Sequence, residues 1–230
     1  MSNEVATTSP AVPDLVQTPA TTIGFEDIAP PTLYIAQRTS GAVDTGAVKY
    51  GDLFVAQGKD DPEPQVLRTF EPENGEGVLF IPLHMIKTWT HSDGENLTSW
   101  DYGTTGQPPA EAIAMAEKSS KPVFRTYNYV VFVPEYDVEM PVNFRLNSKS
   151  QRPAANAINI AVSRNTGKWV DSAFRVTTLK KESGANKWAI PVVRGDKATA
   201  AQHKQAQHLL NLILPGLQQR ASRAAAEPSI

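Results

Sequence analysis

Proline and glycine punctuation constrains this chain more than any other feature. The 18 prolines and 14 glycines in 230 residues break nearly every apolar run before it reaches the length of an ordinary helix. Proline lacks the N–H that a ladder needs, and glycine marks turns. What lies between them is rich in β-branched and aromatic residues, the composition of strands. PTLYIAQ (31–37) reads as a first strand. GAVKYGDLFVAQG (46–58) supplies the next pieces, with Gly51-Asp52 a turn before Leu53-Phe54-Val55. KDDPEP (59–64) is excluded from any strand interior, and after QVLRTFEP the stretch ENGEG (73–77) is an acidic turn. GVLFIPLHMIKTWTH (77–91) is one long strand or two bent ones, with Pro82 at a bulge or an edge. PVFRTYNYVVFVPE (122–135) has the content of a central strand, and MPVNFRLN (140–147) alternates like a half-buried one. DSAFRVTTLKKES (171–183), the turn GAN and KWAIPVVRG (187–195) form a hairpin.

Helical signals are fewer. SDGENLTSWDYGTTGQPP (92–109) is a loop by composition, and PAEAIAMAEKSSK (109–121) makes a short helix with Pro109 in its first turn. Residues 150–169 are either a helix or an extended segment, and the alanines favour the helix. TAAQHKQAQHLLNLILPG (199–216) is a helix of about four turns that Pro215-Gly216 should stop. Its Leu209, Leu210, Ile213 and Leu214 need cover, from the β core or from a second subunit. Residues 1–29 read as a flexible arm and 217–230 as a flexible tail. The expectation is one mainly β domain over 30–216, a small barrel or sandwich, interrupted by a loop and helix at 92–121.

The chain has no Cys, which excludes disulfides, Cys-ligated zinc, iron–sulfur ligation and thiol catalysis. No apolar run is long enough to span a bilayer, and the N-terminus lacks the basic-then-apolar order of a signal peptide. A cytoplasmic location without membrane association is expected. The net charge of −2 hides an asymmetry: residues 1–117 carry −12, residues 118–197 carry +8 and the remainder +2. A basic half can face a polyanion while the acidic half limits non-specific sticking, or the two halves attract each other within one fold.

No catalytic motif stands out. His84 and His91 alternate onto opposite faces of a strand unless it bends, and a metal site from His84, His91 and Asp93 competes with a reading of ordinary surface or half-buried histidines. His203 and His208, five apart on a helix, share a face poorly. The carboxylates at Asp60, Asp61 and Glu63, and at Glu71, Glu73 and Glu76, sit in turns without the rigid placement that acid–base chemistry needs. Phosphate-loop, nucleophile-elbow and H-E-x-x-H patterns are missing. A non-enzymatic protein with no cofactor is expected, with a Mg²⁺-dependent nuclease as a distant alternative.

What remains is a basic, aromatic-bearing β region. Single-stranded nucleic acid is bound by cations on its phosphates and by exposed rings on which bases stack. The candidate contacts are Arg125, Arg145, Lys149, Arg152, Lys180 and Lys181 for phosphates, with Tyr127, Tyr129, Trp169 and Trp188 for bases. Arg125, Tyr127 and Tyr129 share one face of their strand. Trp89 and Trp100 bracket a polar loop and are further platforms. Each ring has a plainer role open to it: Tyr127 and Tyr129 as a second core layer or a subunit contact, Trp169 and Trp188 as core.

PPTLYIAQ, YGDLFV and the run VNFRLNSKSQRPAANAINIAVSRNTGKW followed by FRVTTLKKESGANKWAIPVV give an order of elements that resembles single-stranded-DNA-binding proteins of tailed phages. That resemblance, spanning about residues 30–215, implies an OB-like antiparallel β barrel with short helices and a C-terminal helix. It also implies single-stranded DNA as ligand, replication or recombination proteins as further partners, a homo-oligomer as one possible state, and the cytoplasm of an infected host cell as the setting. Such proteins often end in an acidic tail that recruits partners, whereas this chain ends AAAEPSI and carries its acidic surplus in the first half. The competing reading is a phage structural or assembly protein with LLNLILPGL (209–217) as a subunit contact.

Overall fold

The computed structural model describes residues 30–58, 61–70, 76–93, 97–103, 105–136 and 138–226, with side chains described as far as Gln218. The expected arm at 1–29 and most of the acidic turn at 73–77 lie outside the described residues. In chain order the elements are β1 (Thr32–Ile35), α1 (Gly41–Asp44), β2 (Leu53–Ala56), β3 (Gln65–Arg68), β4 (Val78–Ser92), β5 (Leu97–Asp101), α2 (Ala110–Ser119), β6 (Phe124–Phe132), β7 (Val142–Leu146), α3 (Arg152–Arg164), β8 (Ala173–Ser183), β9 (Asn186–Asp196) and α4 (Ala200–Ala226).

The strands form one curled, open sheet in the order β3-β2-β1-β7-β6-β4-β8-β9, with β5 also on β4. The expected closed antiparallel barrel is corrected here. The sheet has two ends, β3 and β9, and β1 joins β7 in parallel over Thr32 and Leu33. β1 and β9 approach each other, but a side chain bridges them in place of a ladder. The Gln37 amide donates to the Ala189 carbonyl (2.9 Å) and accepts from the Ala189 N–H (3.0 Å).

β4 organises the rest. Val78–Phe80 pair with β8, Ile81–Thr90 with β6 and Thr88–Ser92 with β5. The register shifts between Pro82 and His84, at the expected proline bulge, because Pro82 has no N–H to give the ladder. Just before β4, Gly77 lies so close to β8 that a Cβ would overlap the Val176 carbonyl. β5 was not anticipated. Its polar, alternating LTSWD pairs only with the end of β4.

Both faces of the sheet are covered where it matters most. The concave face buries Leu33, Val55, Phe80, Tyr129, Val131, Phe144 and Val176 against Ala154, Ala155, Ile158 and Val162 of α3. Phe80 sits between Phe144 (5.5 Å, edge-on) and Phe174 (5.6 Å, stacked). The convex face buries Leu79, Ile81, Leu83, Val130 and Phe132 under Ala206, Leu209 and Ile213 of α4. β6 lies between the two layers, which is why its VVF run does not alternate. α4 does not stop at Pro215-Gly216. It runs to Ala226 with Pro215 inside. Pro215 forfeits one helical hydrogen bond, to the Asn211 carbonyl, and the alanines after it are strong helix formers. The expected tail at 217–230 is therefore helical through residue 226. No helix among the described residues is long and apolar enough to cross a membrane.

Candidate nucleic-acid interface

The parallel pairing of β1 with β7 ends after Leu33 and Phe144. Beyond that point the strands splay, because β1 turns to stay with β2 while β7 follows β6. A cavity of about 500 Å³ opens in the fork, lined among others by Tyr34, Gln37, Arg145, Asn147, Gln151 and Trp188. Its floor is apolar (Leu33, Phe144, Leu146) and its rim is polar.

Two of the ten sequence candidates, Arg145 and Trp188, line this cavity, and three more, Lys149, Arg152 and Lys181, neighbour its lining residues in sequence or across the hairpin. Arg145 is exposed and held by donation from its Nε to Asn128 Oδ1 (3.0 Å). Trp188 is half-exposed and lines the cavity from β9. Lys181 is the cross-strand neighbour of Trp188, so the two share a face of the hairpin. Lys149 and Arg152 are exposed on the 3-10 turn and first residue of α3, beside the lining residues Ser148, Ser150 and Gln151. The turn is fixed by Gln151 Oε1, which accepts from the Asn147 N–H (2.8 Å).

Two candidates sit in the core instead, and a third, Trp169, is partly buried against it. Tyr129 has no exposed surface, and its hydroxyl donates to Asn159 Oδ1 (2.9 Å) and the Ala155 carbonyl (3.2 Å). Burial pushes its phenol far above the usual range. Tyr127 is 8% exposed on the same concave face. Trp169 packs edge-on against Tyr129 (6.1 Å). Neither tyrosine offers a free ring face to a base. The alternation was right, but the face shared by Tyr127 and Tyr129 is the one α3 covers.

The last two cations are engaged with rings. Lys180 points to the concave side, opposite Ala189, where its ammonium lies 3.7 Å from the Phe70 centroid and 4.7 Å from Tyr50. Gly51, at φ +95°, lies directly under it, and a Cβ there would meet Lys180 Cε at 2.6 Å. Desolvation lowers the Lys180 pKa. Arg125 lies over Trp89 and Tyr102, at 5.5 and 4.9 Å from their centroids. It also donates to the Tyr127 hydroxyl (3.5 Å), and that hydrogen bond raises its pKa.

Arg68–Glu135 (2.8 Å) joins the halves, but its cation comes from the acidic side; Arg175–Asp196 (2.5 Å) and Lys187–Glu182 (3.3 Å) lie within the basic half. His91 is buried with Nε2 at 2.7 Å from Ser119 Oγ, His203 Nδ1 lies 2.8 Å from the Val170 carbonyl, and burial lowers the pKa of His84. His84 and His91 face opposite ways, and among the described residues no group of three His, Asp or Glu is placed to hold a metal ion.

Comparison of the chain with family models, with curated proteins and with solved structures finds no match. The site therefore rests on its own geometry. Sequence reasoning missed Tyr34, Gln37, Asn147 and Gln151, all of which line the fork. Their types are unremarkable in strands and turns, and only the splaying of β1 from β7 gives them a common cavity.

Proposed function

We propose that this chain is a non-catalytic, OB-like binder of single-stranded DNA that acts in phage replication or recombination in the cytoplasm of an infected cell. The observation that carries the reading is the fork between β1 and β7, where Arg145 and the half-exposed ring of Trp188 line one cavity, with the exposed Lys149 and Arg152 next in sequence to its lining residues and Lys181 paired with Trp188 across the hairpin. Cations beside a partly exposed aromatic are what a sugar–phosphate chain with splayed bases requires. Support for the OB-like description comes from the long bent β4, which pairs β6 along one stretch and β8 along another, and from α3 lying between β7 and β8 in sequence and under the core.

The test is a fluorescence titration with oligo-dT at two salt concentrations, using the full chain and the triple variant R145A/K149A/R152A. Wild-type affinity falls steeply with salt, and the variant loses about two units of the log–log salt slope, at about 0.7 per phosphate contact on a single strand. Absence of binding at low salt, or an unchanged slope in the variant, overturns the reading. A second reading, a self-assembling structural protein, is favoured by one observation: α4 buries Leu209 and Ile213 but leaves Leu212 60% and Leu214 40% exposed. Large closed oligomers by light scattering, indifferent to DNA, would select it.

A further inference from the structure

On the concave side of β4, Trp89 stacks on Tyr102 with centroids 5.3 Å apart and planes 19° apart. The Arg125 guanidinium lies over both rings, and Lys87 Nζ lies 5.6 Å from the Tyr102 centroid. Trp89 and Arg125 face each other across the β4–β6 ladder, so their placement is set by backbone register. Tyr102 is different. It follows the end of β5 in irregular chain, between Asp101 and Gly103 (φ +64°), and its ring is only half-buried.

Among the described residues, two polar atoms of this cluster have no hydrogen-bond partner. Trp89 is 91% buried (9% exposed), and its Nε1–H donates to nothing. The Arg125 Nε–H is likewise buried without an acceptor. Both groups are donors only, so each has been withdrawn from water with nothing to bond. Tyr102 supplies a flat apolar ring to the slot but satisfies neither donor.

We propose that the Trp89–Arg125 slot is a base-stacking site, which the Tyr102 ring fills until a nucleobase of a single strand replaces it. The chemistry specifies the ligand class twice over. The Trp89 face takes a planar group, and Lys87 with Arg125 favour one attached to negative charge. A nucleotide meets both conditions. Rotation of the Tyr102 side chain suffices to admit it, because β4 and β6 hold the other components. This inference rests on the single-strand reading above but uses residues apart from the fork.

The experiment compares oligo-dT with an abasic oligonucleotide of the same length at low salt, on wild type, Tyr102→Ala and Trp89→Leu. Removal of Tyr102 removes the competitor, so Tyr102→Ala binds oligo-dT more tightly than wild type while its affinity for the abasic strand is unchanged. Trp89→Leu binds oligo-dT about fivefold or more weaker, the range expected for one lost stacking contact. A thermal melt of each variant checks folding, and Tyr102→Ala alone decides the matter if Trp89→Leu does not fold. Wild-type binding with Tyr102→Ala unchanged on both strands overturns the slot and leaves the fork standing. An equal gain on both strands overturns it too, since phosphate contact would then be the cause. No binding by any of the three at low salt overturns the fork and the slot together.

Discussion

The Gln37 bridge between β1 and β9 is open to a test that separates a specific amide from a mere filler. Gln37→Ala removes a donor to the Ala189 carbonyl and an acceptor for its N–H, along with a 3.2 Å bond to the Ile35 carbonyl. Ala189 is 3% exposed, but the adjacent fork cavity is wide enough for water to reach part of its edge. With water in place the cost is the net value of the two Ala189 bonds, about 2 kcal/mol; with the groups left dry it rises to about 4 kcal/mol. For a domain of this size that is a fall in Tm of about 4–16 °C. Gln37→Glu sharpens the test. An ionised carboxylate still accepts from the Ala189 N–H but opposes the Ala189 carbonyl, whereas the protonated acid donates to it. The fold therefore favours the neutral form and raises the pKa of the introduced Glu above its unfolded value of about 4.3. Its stabilising contribution is full below that value and is lost as pH rises through the folded pKa. Thermal melts at pH 7 and at about pH 4.5, each referenced to wild type at the same pH, should show Gln37→Glu recovering on acidification while Gln37→Ala does not. Equal deficits for the two variants at both pH values would falsify the claim that this amide joins β1 to β9.

Tyr129→Phe removes the two bonds to Asn159 and the Ala155 carbonyl and should cost about 1–3 kcal/mol in a denaturant melt, since the concave core excludes water. Because burial raises the Tyr129 pKa, its contribution holds below the unfolded value of about 10 and is lost above it; an ultraviolet titration should show one tyrosine that ionises only as the protein unfolds. His84 has the opposite sign. Its pKa is depressed, so its neutral form stabilises the fold above about pH 6.5 and that support is lost as pH falls; His84→Gln should flatten the acid side of the stability profile, and an unchanged profile would contradict this.

Strands were legible wherever a local period carried them. The β8–β9 hairpin, the half-buried β7 and the Pro82 bulge all follow from residues within a few positions of each other. The parallel placement of β1 against β7 was not legible, since nothing near Leu33 encodes Phe144 as its neighbour. Alternation sorted β6 correctly, with Arg125, Tyr127 and Tyr129 on one side, but could not say which side met solvent because Val130, Val131 and Phe132 are all buried. That one ambiguity moved both tyrosines from candidate platforms to core. Among the cations, Arg145, Lys149 and Arg152 follow one another from the end of β7, through the turn at Ser148, to the first residue of α3. Lys180 and Lys181 part company because neighbours in a strand face opposite ways.

The docking of β1 on β7 also bears on how the chain is made. Pro30 and Asn143, hydrogen-bonded in the finished sheet, are 113 residues apart. On the ribosome the apolar side chains of Leu33 and Val55 emerge well before the strand and helix that will cover them, so the nascent chain carries an unfinished hydrophobic edge through most of its synthesis.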